Sequence, residues 1–368
     1  MAALAGAAPS YAAEGGRSDV THLYVTHRDS RNITVVGVDS TGSSNPVPPS
    51  AVPPPVATGA GPRGIVFAPS GRSAYVVNSA ANTISAYAVG EGGALRPLST
   101  VPTGGKFPMS VAIAPNGSAL YVTNLLSGTL SAFVVNADGT PTRLGAPVRD
   151  TVANSRGLAV SADGRFLFVG HGFPDSSVTP VVTTFAIGRD GSLRAVGRPA
   201  AAGGGGTGME VSPDGRFLYV TSTSTDAIFG YRIDPAGGLH PLPRSPFPVA
   251  DFPEGSAMTA DGRHLYVTSP GPDPAHPGDA VSAFTVGADG ALTPVAGSPF
   301  AAGGRPVGLV ATPDGHLYVA NFDASTISAF AIARTGALRE IPGSPVPSGG
   351  LHPGFQSIAV RPDSGPGR

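Results

Sequence analysis

An aromatic residue followed by valine recurs seven times along this chain, at Tyr24, Tyr75, Tyr121, Phe168, Tyr219, Tyr266 and Tyr318, at intervals of 51, 46, 47, 51, 47 and 52 residues. A unit of this length, built from short alternating runs, cannot bury a hydrophobic face alone, so its copies must stack on one another. Ahead of the last six aromatic residues lies a short apolar run ending in a Gly turn: Gly64 to Gly71, Ser110 to Gly117, Gly157 to Gly164, Gly208 to Gly215, Gly255 to Gly262 and Gly308 to Gly315. The turns read Pro-Asp-Gly or a close variant, which joins two strands in a hairpin. After each aromatic-Val strand comes a polar loop and a third strand, with Val36, Tyr87, Phe133, Phe185, Tyr231, Phe284 and Phe330 in register. A weaker fourth strand follows, as at Leu95 to Leu98 or Leu292 to Val295.

Four short antiparallel strands in each repeat predict an all-β, seven-bladed β-propeller. The first unit lacks its opening strand, and Ser357-Ile358-Ala359-Val360 matches that strand with no partner after it. Pairing of this last segment beside Leu23 to Thr26 would complete blade one, close the ring and remove two sheet edges. The 52 Gly and 39 Pro among 368 residues, about a quarter of the chain, exclude long helical bundles and suit a fold with many tight turns. Pro46 to Pro55 fit the outer edge of blade one, where no central-strand N–H is needed.

Lys plus Arg number 23 and Asp plus Glu 24, for a net charge of -1, so the chain has no electrostatic footprint for nucleic acid or an anionic membrane. Without Cys there is no disulfide, thiolate metal site or cysteine nucleophile. No apolar run reaches 18 residues, so no membrane-spanning helix is expected. Residues 1–18 are read as the remnant of a secretory leader, because Ser10-Tyr11-Ala12 places small residues at -3 and -1 of a cleavage site before polar Glu14 to Ser18. Export is therefore expected, with a single propeller domain over 19–368.

The repeats align with one another and expose two columns at one end of the ring. Just before the opening strands stand Arg63, Met109, Arg156, Thr207, Glu254, Val307 and Gln356; just after the aromatic-Val strands stand His27, Asn78, Asn124, His171, Ser222, Ser269 and Asn321. The two strands are antiparallel, so both columns belong around the mouth of the central channel, the default binding site of such a ring. Lys106, Arg305 and His352 share these loops. The second column is open to two readings, since polar residues after a strand also cap turns. The first is not, because a turn has no use for Arg, Met, Glu and Gln at equivalent places. Within the opening strands Glu210 is the one charge in a column otherwise filled by Val66, Ala112, Ala159, Ala257, Val310 and Ala359. It is either an inter-blade ion pair, with Arg156 or His171 as partner, or an acid or base.

Gly203, Gly205 and Gly208 fit a G-x-G-x-x-G pattern but precede a strand, so they read as a loop. Asp273, His276 and Asp279 share a proline-rich loop and read as solvated, and no metal or other cofactor is expected.

Units such as Ser212-Pro213-Asp214-Gly215-Arg216 followed by Leu218-Tyr219-Val220-Thr221 resemble the seven-bladed lactonase family, which includes the 6-phosphogluconolactonase-like enzymes, and the related YVTN-repeat propellers. The resemblance runs from about residue 20 nearly to the end. Family enzymes carry H-P-H-S at the opening of one blade, and P-R-H with a downstream N-E in the next. Here these align with Phe107-Pro108-Met109-Ser110, with Ser155-Arg156-Gly157 and with His171-Gly172; Pro62-Arg63-Gly64 echoes the second. The arginine is kept while the usual His and Glu are absent.

The expected function is binding of a small anionic or carbonyl-bearing molecule at the mouth, with lactone opening or the reverse ring formation as the reaction. Arg156, helped by Arg63 or Arg305, would hold a carboxylate or oxyanion. His171 or Glu210 would be general base or acid, with Glu254 in reserve; His27, Asn78, Asn124, Asn321, His352 and Gln356 would line the ligand. The other class is a non-catalytic propeller that presents its loops to a protein or cell-wall partner.

Overall fold

The structure, a computed structural model, describes residues 21–38, 54–150, 152–172, 179–204, 207–272 and 278–362. The leader therefore lies outside the described residues, as do Asp273, His276 and most of the Pro46 to Pro55 stretch. Seven antiparallel sheets form the seven blades of the ring, and a single 3-10 turn at Glu91–Gly93 is the one helical element among the described residues.

From the channel outward, blade one runs Pro353–Val360, Thr21–His27, Asn32–Val38 and Val56–Ala57, so the last strand of the chain closes the ring as anticipated. Leu23, Tyr24 and Val25 face Val360, Ala359 and Ile358. The inner strands of blades two to seven are Pro62–Phe67, Pro108–Ile113, Ser155–Val160, Met209–Val211, Ser256–Met258 and Pro306–Ala311. Their second strands are Ser73–Asn78, Ala119–Asn124, Phe166–His171, Phe217–Ser222, His264–Ser269 and His316–Asn321. In blades three, five, six and seven the outer edge is split into two short pieces that both pair with the third strand, as in Pro141–Arg143 and Val148–Arg149.

All six residues of these second strands are buried, which explains the aromatic-Val signature. Successive side chains of a strand point to opposite faces, and here each face meets a neighbouring blade. Tyr24 packs with Ile65, Phe67 and Val76 of blade two, while Leu23 and Val25 pack with Tyr318 and Ala320 of blade seven. Seven such clusters, one per seam, take the place of a single core. A fully buried Val, Leu or Phe contributes roughly 1.5–3 kcal/mol, so every seam is a sizeable adhesive surface.

The tyrosines add a polar latch. Tyr24, Tyr75, Tyr121, Tyr219 and Tyr266 donate their hydroxyls to the carbonyls of Gly93, Gly139, Gly191, Gly290 and Gly336, each in the outer hairpin turn of the following blade. Phe168 stands in this column without a hydroxyl to donate.

Candidate active site at the channel mouth

The inner strands are not regular at their upper ends. In blade two the register jumps from Pro62 opposite Asn78 to Ile65 opposite Val76, a bulge that frees Arg63 and Gly64 from the ladder. The same jump occurs at Met109-Ser110 in blade three and at Arg156-Gly157 in blade four. These bulges take Arg63, Met109 and Arg156 out of the ladder at the mouth, while Thr207 and Glu254 precede the first paired residues of their strands.

Blade one departs from this pattern. Pro353 pairs with His27 and Ile358 with Val25, so four residues, Gly354 to Ser357, stand where two stand elsewhere. Gln356 keeps its place in the column, because Thr26 Oγ1 lies 3.5 Å from the Ser357 carbonyl just as Thr221 and Thr268 Oγ1 lie 3.4 and 3.5 Å from those of Gly208 and Gly255; the two extra residues bend the chain on its approach to that place. Gln356, at φ 55, is thereby pushed across the channel. Its Oε1 accepts from Ser110 Oγ of blade three at 2.7 Å, and its Nε2 donates to the Thr207 carbonyl of blade five at 3.1 Å. Both ends of the amide are engaged by protein.

Above this crossbar the structure brings Arg63, Arg156, Glu254 and Arg305 into one electrostatic cluster. Glu254 is 5% exposed, and its Oε2 has no hydrogen-bond partner. Burial pushes its carboxyl up to about 7, against the opposing pull of Arg156, Arg63 and Arg305. Arg63 is brought down to about 10 by burial and Arg156 is lowered for the same reason; a guanidinium at about 10 is still a cation at neutral pH. Three cations around one carboxylate leave the mouth positive and suited to an anion or developing oxyanion.

Arg63 stands between two aromatic faces, 5.3 Å from the Phe107 ring and 5.0 Å from that of Phe355. It also lines a cavity of about 510 Å³ with Arg28, Asp29, Arg31, Ser79 and Phe107, beside the mouth over blades one to three. The far rim is built on Phe322, which carries the guanidinium of Arg28 at 4.8 Å, that of Arg305 at 5.3 Å and the stacked ring of His352 at 4.7 Å. His352 Nδ1 in turn lies 2.6 Å from Asp29 Oδ2. Arg28, Arg31 and the three phenylalanines escaped the column reading because they sit one to four residues beyond the aligned positions, in loops whose lengths differ between repeats.

The second column turns inward. Asn78, Asn124 and Asn321 each donate Nδ2 to the hydroxyls of a Thr and a Ser on the third strand of their own blade. His27 Nε2 bonds Ser348 Oγ at 3.0 Å, and His171 Nε2 bonds Thr183 Oγ1 at 2.8 Å. All five are fully or almost fully buried. Of the two readings of this column, turn capping is the one these contacts describe. His171 also lies 3.5 Å from Asp150 Oδ2, which accepts from Ser155 Oγ at 3.0 Å, next to Arg156. Burial holds both His27 and His171 well below the usual imidazole range.

Glu210 sits below the crossbar, in a channel cavity of about 190 Å³ lined by Gly64, Val66, Val111, Gly208, Ser256 and Gln356 among others. Burial raises it to about 8, with Ser256 working the other way; neither Arg156 nor His171 figures among its perturbing groups. Asp279 Oδ1 accepts the Arg305 N–H at 2.7 Å. Among the described residues no group of three or more His, Asp or Glu is placed to hold a metal ion, and no helix is long and apolar enough to cross a membrane.

A seven-bladed ring with a basic, carboxylate-bearing mouth defines the class. The family model described as "Lactonase, 7-bladed beta-propeller" matches residues 17–154 and 148–249, and the chain belongs to that family. A comparison with curated proteins found no match. Among solved structures the chain is similar to a 6-phosphogluconolactonase candidate from Bacteroides uniformis, with 21% identity, a TM-score of 0.76 and coverage of 93% of this chain and 99% of that one. It is similar to the periplasmic gluconolactonase PpgL of Pseudomonas aeruginosa, with 21% identity, a TM-score of 0.74 and coverage of 93% and 99%. Virginiamycin B lyase from Staphylococcus aureus, at 18% identity and a TM-score of 0.52 over 78% of this chain and 85% of that one, shares the architecture under a different printed activity. At these identities the structural likeness concerns the fold; chemistry must be argued from the site.

Proposed function

We propose that this protein opens a lactone at the channel mouth, with Glu254 as general base and acid and with Arg63, Arg156 and Arg305 holding the carbonyl oxygen and any further anionic group of the substrate. The observation that carries the reading is the Glu254 carboxyl itself: buried, with an unpartnered oxygen, ringed by three arginines and brought to about 7. A base poised near the working pH is what general catalysis favours. Ionised Glu254 would take a proton from water as its oxygen attacks the lactone carbonyl, while the arginines stabilise the oxyanion. Collapse breaks the ring C–O bond, and protonated Glu254 returns its proton to the departing alkoxide, giving a hydroxy acid. The same steps in reverse form a ring.

Glu254 is preferred to His171, whose Nε2 is occupied by Thr183 inside the blade, and to Glu210, which lies beneath the Gln356 crossbar. His171 is then a positioning residue, fastening Asp150 and Ser155 beside Arg156. Export belongs to the same proposal and rests on the leader sequence alone.

The test is a panel of lactones and their hydroxy acids, followed by product formation, with parent, Glu254→Gln, Arg63→Ala and Arg156→Ala. Turnover by the parent, lost at least 100-fold in Glu254→Gln with folding intact, supports the reading. Absence of turnover in both directions overturns it and favours a non-catalytic module for a protein or cell-wall partner, and a fully active Glu254→Gln overturns the role given to Glu254.

A further inference from the structure

Three of the four charged members of the mouth, Arg63, Arg156 and Glu254, are held by hydroxyls from the neighbouring blade. Thr26 Oγ1 of blade one donates to the Arg63 carbonyl of blade two at 2.6 Å, and Thr123 Oγ1 of blade three to the Arg156 carbonyl of blade four at 3.0 Å. Thr221 Oγ1 of blade five donates to the Glu254 carbonyl of blade six at 3.0 Å. These carbonyls lie at or just before the irregular start of the inner strand, where the ladder leaves backbone groups to be satisfied by side chains.

All three hydroxyls also reach back into their own blade, Thr26 Oγ1 to the Ser357 carbonyl at 3.5 Å. Thr123 Oγ1 accepts the Ser110 N–H at 3.1 Å, and Thr221 Oγ1 accepts the Gly208 N–H at 3.1 Å. A single hydroxyl thus ties the inner strands of two adjacent blades at the level of the mouth. Thr207 Oγ1 gives the Glu254 carbonyl a second bond at 3.1 Å.

The equivalent second-strand positions in blades two, four and seven are Val77, Gly170 and Ala320. A propeller seam therefore closes without the hydroxyl, and the blades that follow these three present Met109, Thr207 and Gln356, which carry no charge. Thr268 of blade six is the informative exception. It accepts the Gly255 N–H at 2.9 Å within its own blade and precedes uncharged Val307.

We infer that Thr26, Thr123 and Thr221 are positioning residues that fix Arg63, Arg156 and Glu254 across the blade seams. This deepens the lactone-opening proposal and rests on it for its kinetic consequences, but the geometric claim stands apart from turnover. Arg63 and Arg156 stand where the ladder is interrupted and Glu254 stands just before its strand begins, so a tied carbonyl supplies the restraint that ladder hydrogen bonds give elsewhere. Small displacements at a reacting centre are costly because preorganised groups act only over hydrogen-bond distances.

The experiment compares Thr26→Val, Thr123→Val and Thr221→Val with Thr268→Val, and each with its Ser counterpart. Val keeps the shape of Thr and removes the hydroxyl; Ser keeps the hydroxyl. Kinetics on a lactone turned over by the parent should show about a tenfold rise in KM for Thr26→Val and Thr123→Val, through the substrate-binding arginines. Thr221→Val should lower kcat and move the acid limb of its pH profile, and Ser should restore all three. Thr268→Val should lose stability alone. Equal stability loss in all four Val variants with unchanged kinetic constants would overturn the inference.

A second readout needs no substrate. The Glu254 carboxyl, followed by carbon NMR of labelled glutamate, should titrate closer to the ordinary carboxylate range in Thr221→Val than in the parent, because a released carbonyl lets the side chain relax toward water and away from Arg63, Arg156 and Arg305. It should be unchanged in Thr268→Val. If Glu254 titrates identically in all of them, the positioning role is refuted even for a protein that opens no lactone. If it shifts while the parent shows no turnover, the positioning stands and only the lactone reading falls.

Discussion

Gln356 reaches across the channel to the carbonyl of Thr207, 149 residues earlier in the chain, with its Nε2 at 3.1 Å while Ser110 holds its Oε1 at 2.7 Å. Three non-adjacent blades are joined at one side chain. Gln356→Ala leaves the Ser110 hydroxyl and the Thr207 carbonyl without these partners, and should lower stability by about 1–2 kcal/mol. Urea unfolding is the measurement: the midpoint falls with the slope unchanged, and an unmoved midpoint would mean that the crossbar contributes nothing to the folded ring.

Phe168 offers a gain. Five tyrosines of its column latch onto a Gly carbonyl of the next blade, and the corresponding turn after Phe168 is Asp234 to Gly238, with Gly237 at φ 84 like its equivalents. Phe168→Tyr should donate to the Gly237 carbonyl and raise stability by up to about 1 kcal/mol. A lowered melting temperature would show that this seam lacks room for the hydroxyl.

Glu254 sets stability against function. Its folded carboxyl sits at about 7 against an ordinary value of 4.5, so the folded state binds the proton more tightly than the unfolded chain. The stabilisation from this group is complete below 4.5 and is lost as pH rises through 7. Glu254→Gln, which mimics the neutral acid, should therefore exceed the parent by about 3 kcal/mol at pH 8 and match it near pH 4. The opposite pH trend in paired denaturation curves would contradict burial as the dominant influence on this carboxyl.

His27 works in the other direction. Its folded value of about 4 lies below the ordinary 6.5 because burial penalises the imidazolium, so its contribution is present above 6.5 and drains away as pH falls through 4. Asn occupies the same position in blades two, three and seven and caps its loop there. His27→Asn should make stability fall less steeply between pH 6.5 and 4. An unchanged acid profile would mean that folded His27 takes up its proton as readily as the unfolded chain does.

The blades were legible because the second strand is buried on both faces, which forces an aromatic residue and Val into the same places seven times, behind Leu in six of them. Ring closure was legible for the same reason: Ile358 had the chemistry of an inner strand and no partner nearby. The mouth was legible only as a set of positions. Arg63, Arg156 and Glu254 stood out in a column with no common structural demand, whereas Asn78, Asn124 and Asn321 were alike because they share a capping task. Gln356 stood in the same column, but its reach across the channel was not legible, because the two extra residues before it lie in a bulge that no hydrophobic period records. Thr26, Thr123 and Thr221 passed as ordinary β-branched strand residues, since their partners lie across a seam and 33 to 37 residues on.

The closing strand also imposes an order of events during synthesis. Phe355 stacks on Arg63, Gln356 supplies the crossbar and His352 completes the Phe322 rim, and all three leave the ribosome after every other part of the mouth has emerged. Six blades can assemble on the nascent chain from near-neighbour contacts, but the pairing of His27 with Pro353 spans almost the whole ring and must wait. A growing polypeptide therefore carries its arginines in an unfinished basin, and the site matures in one late step, when the tail returns to the beginning.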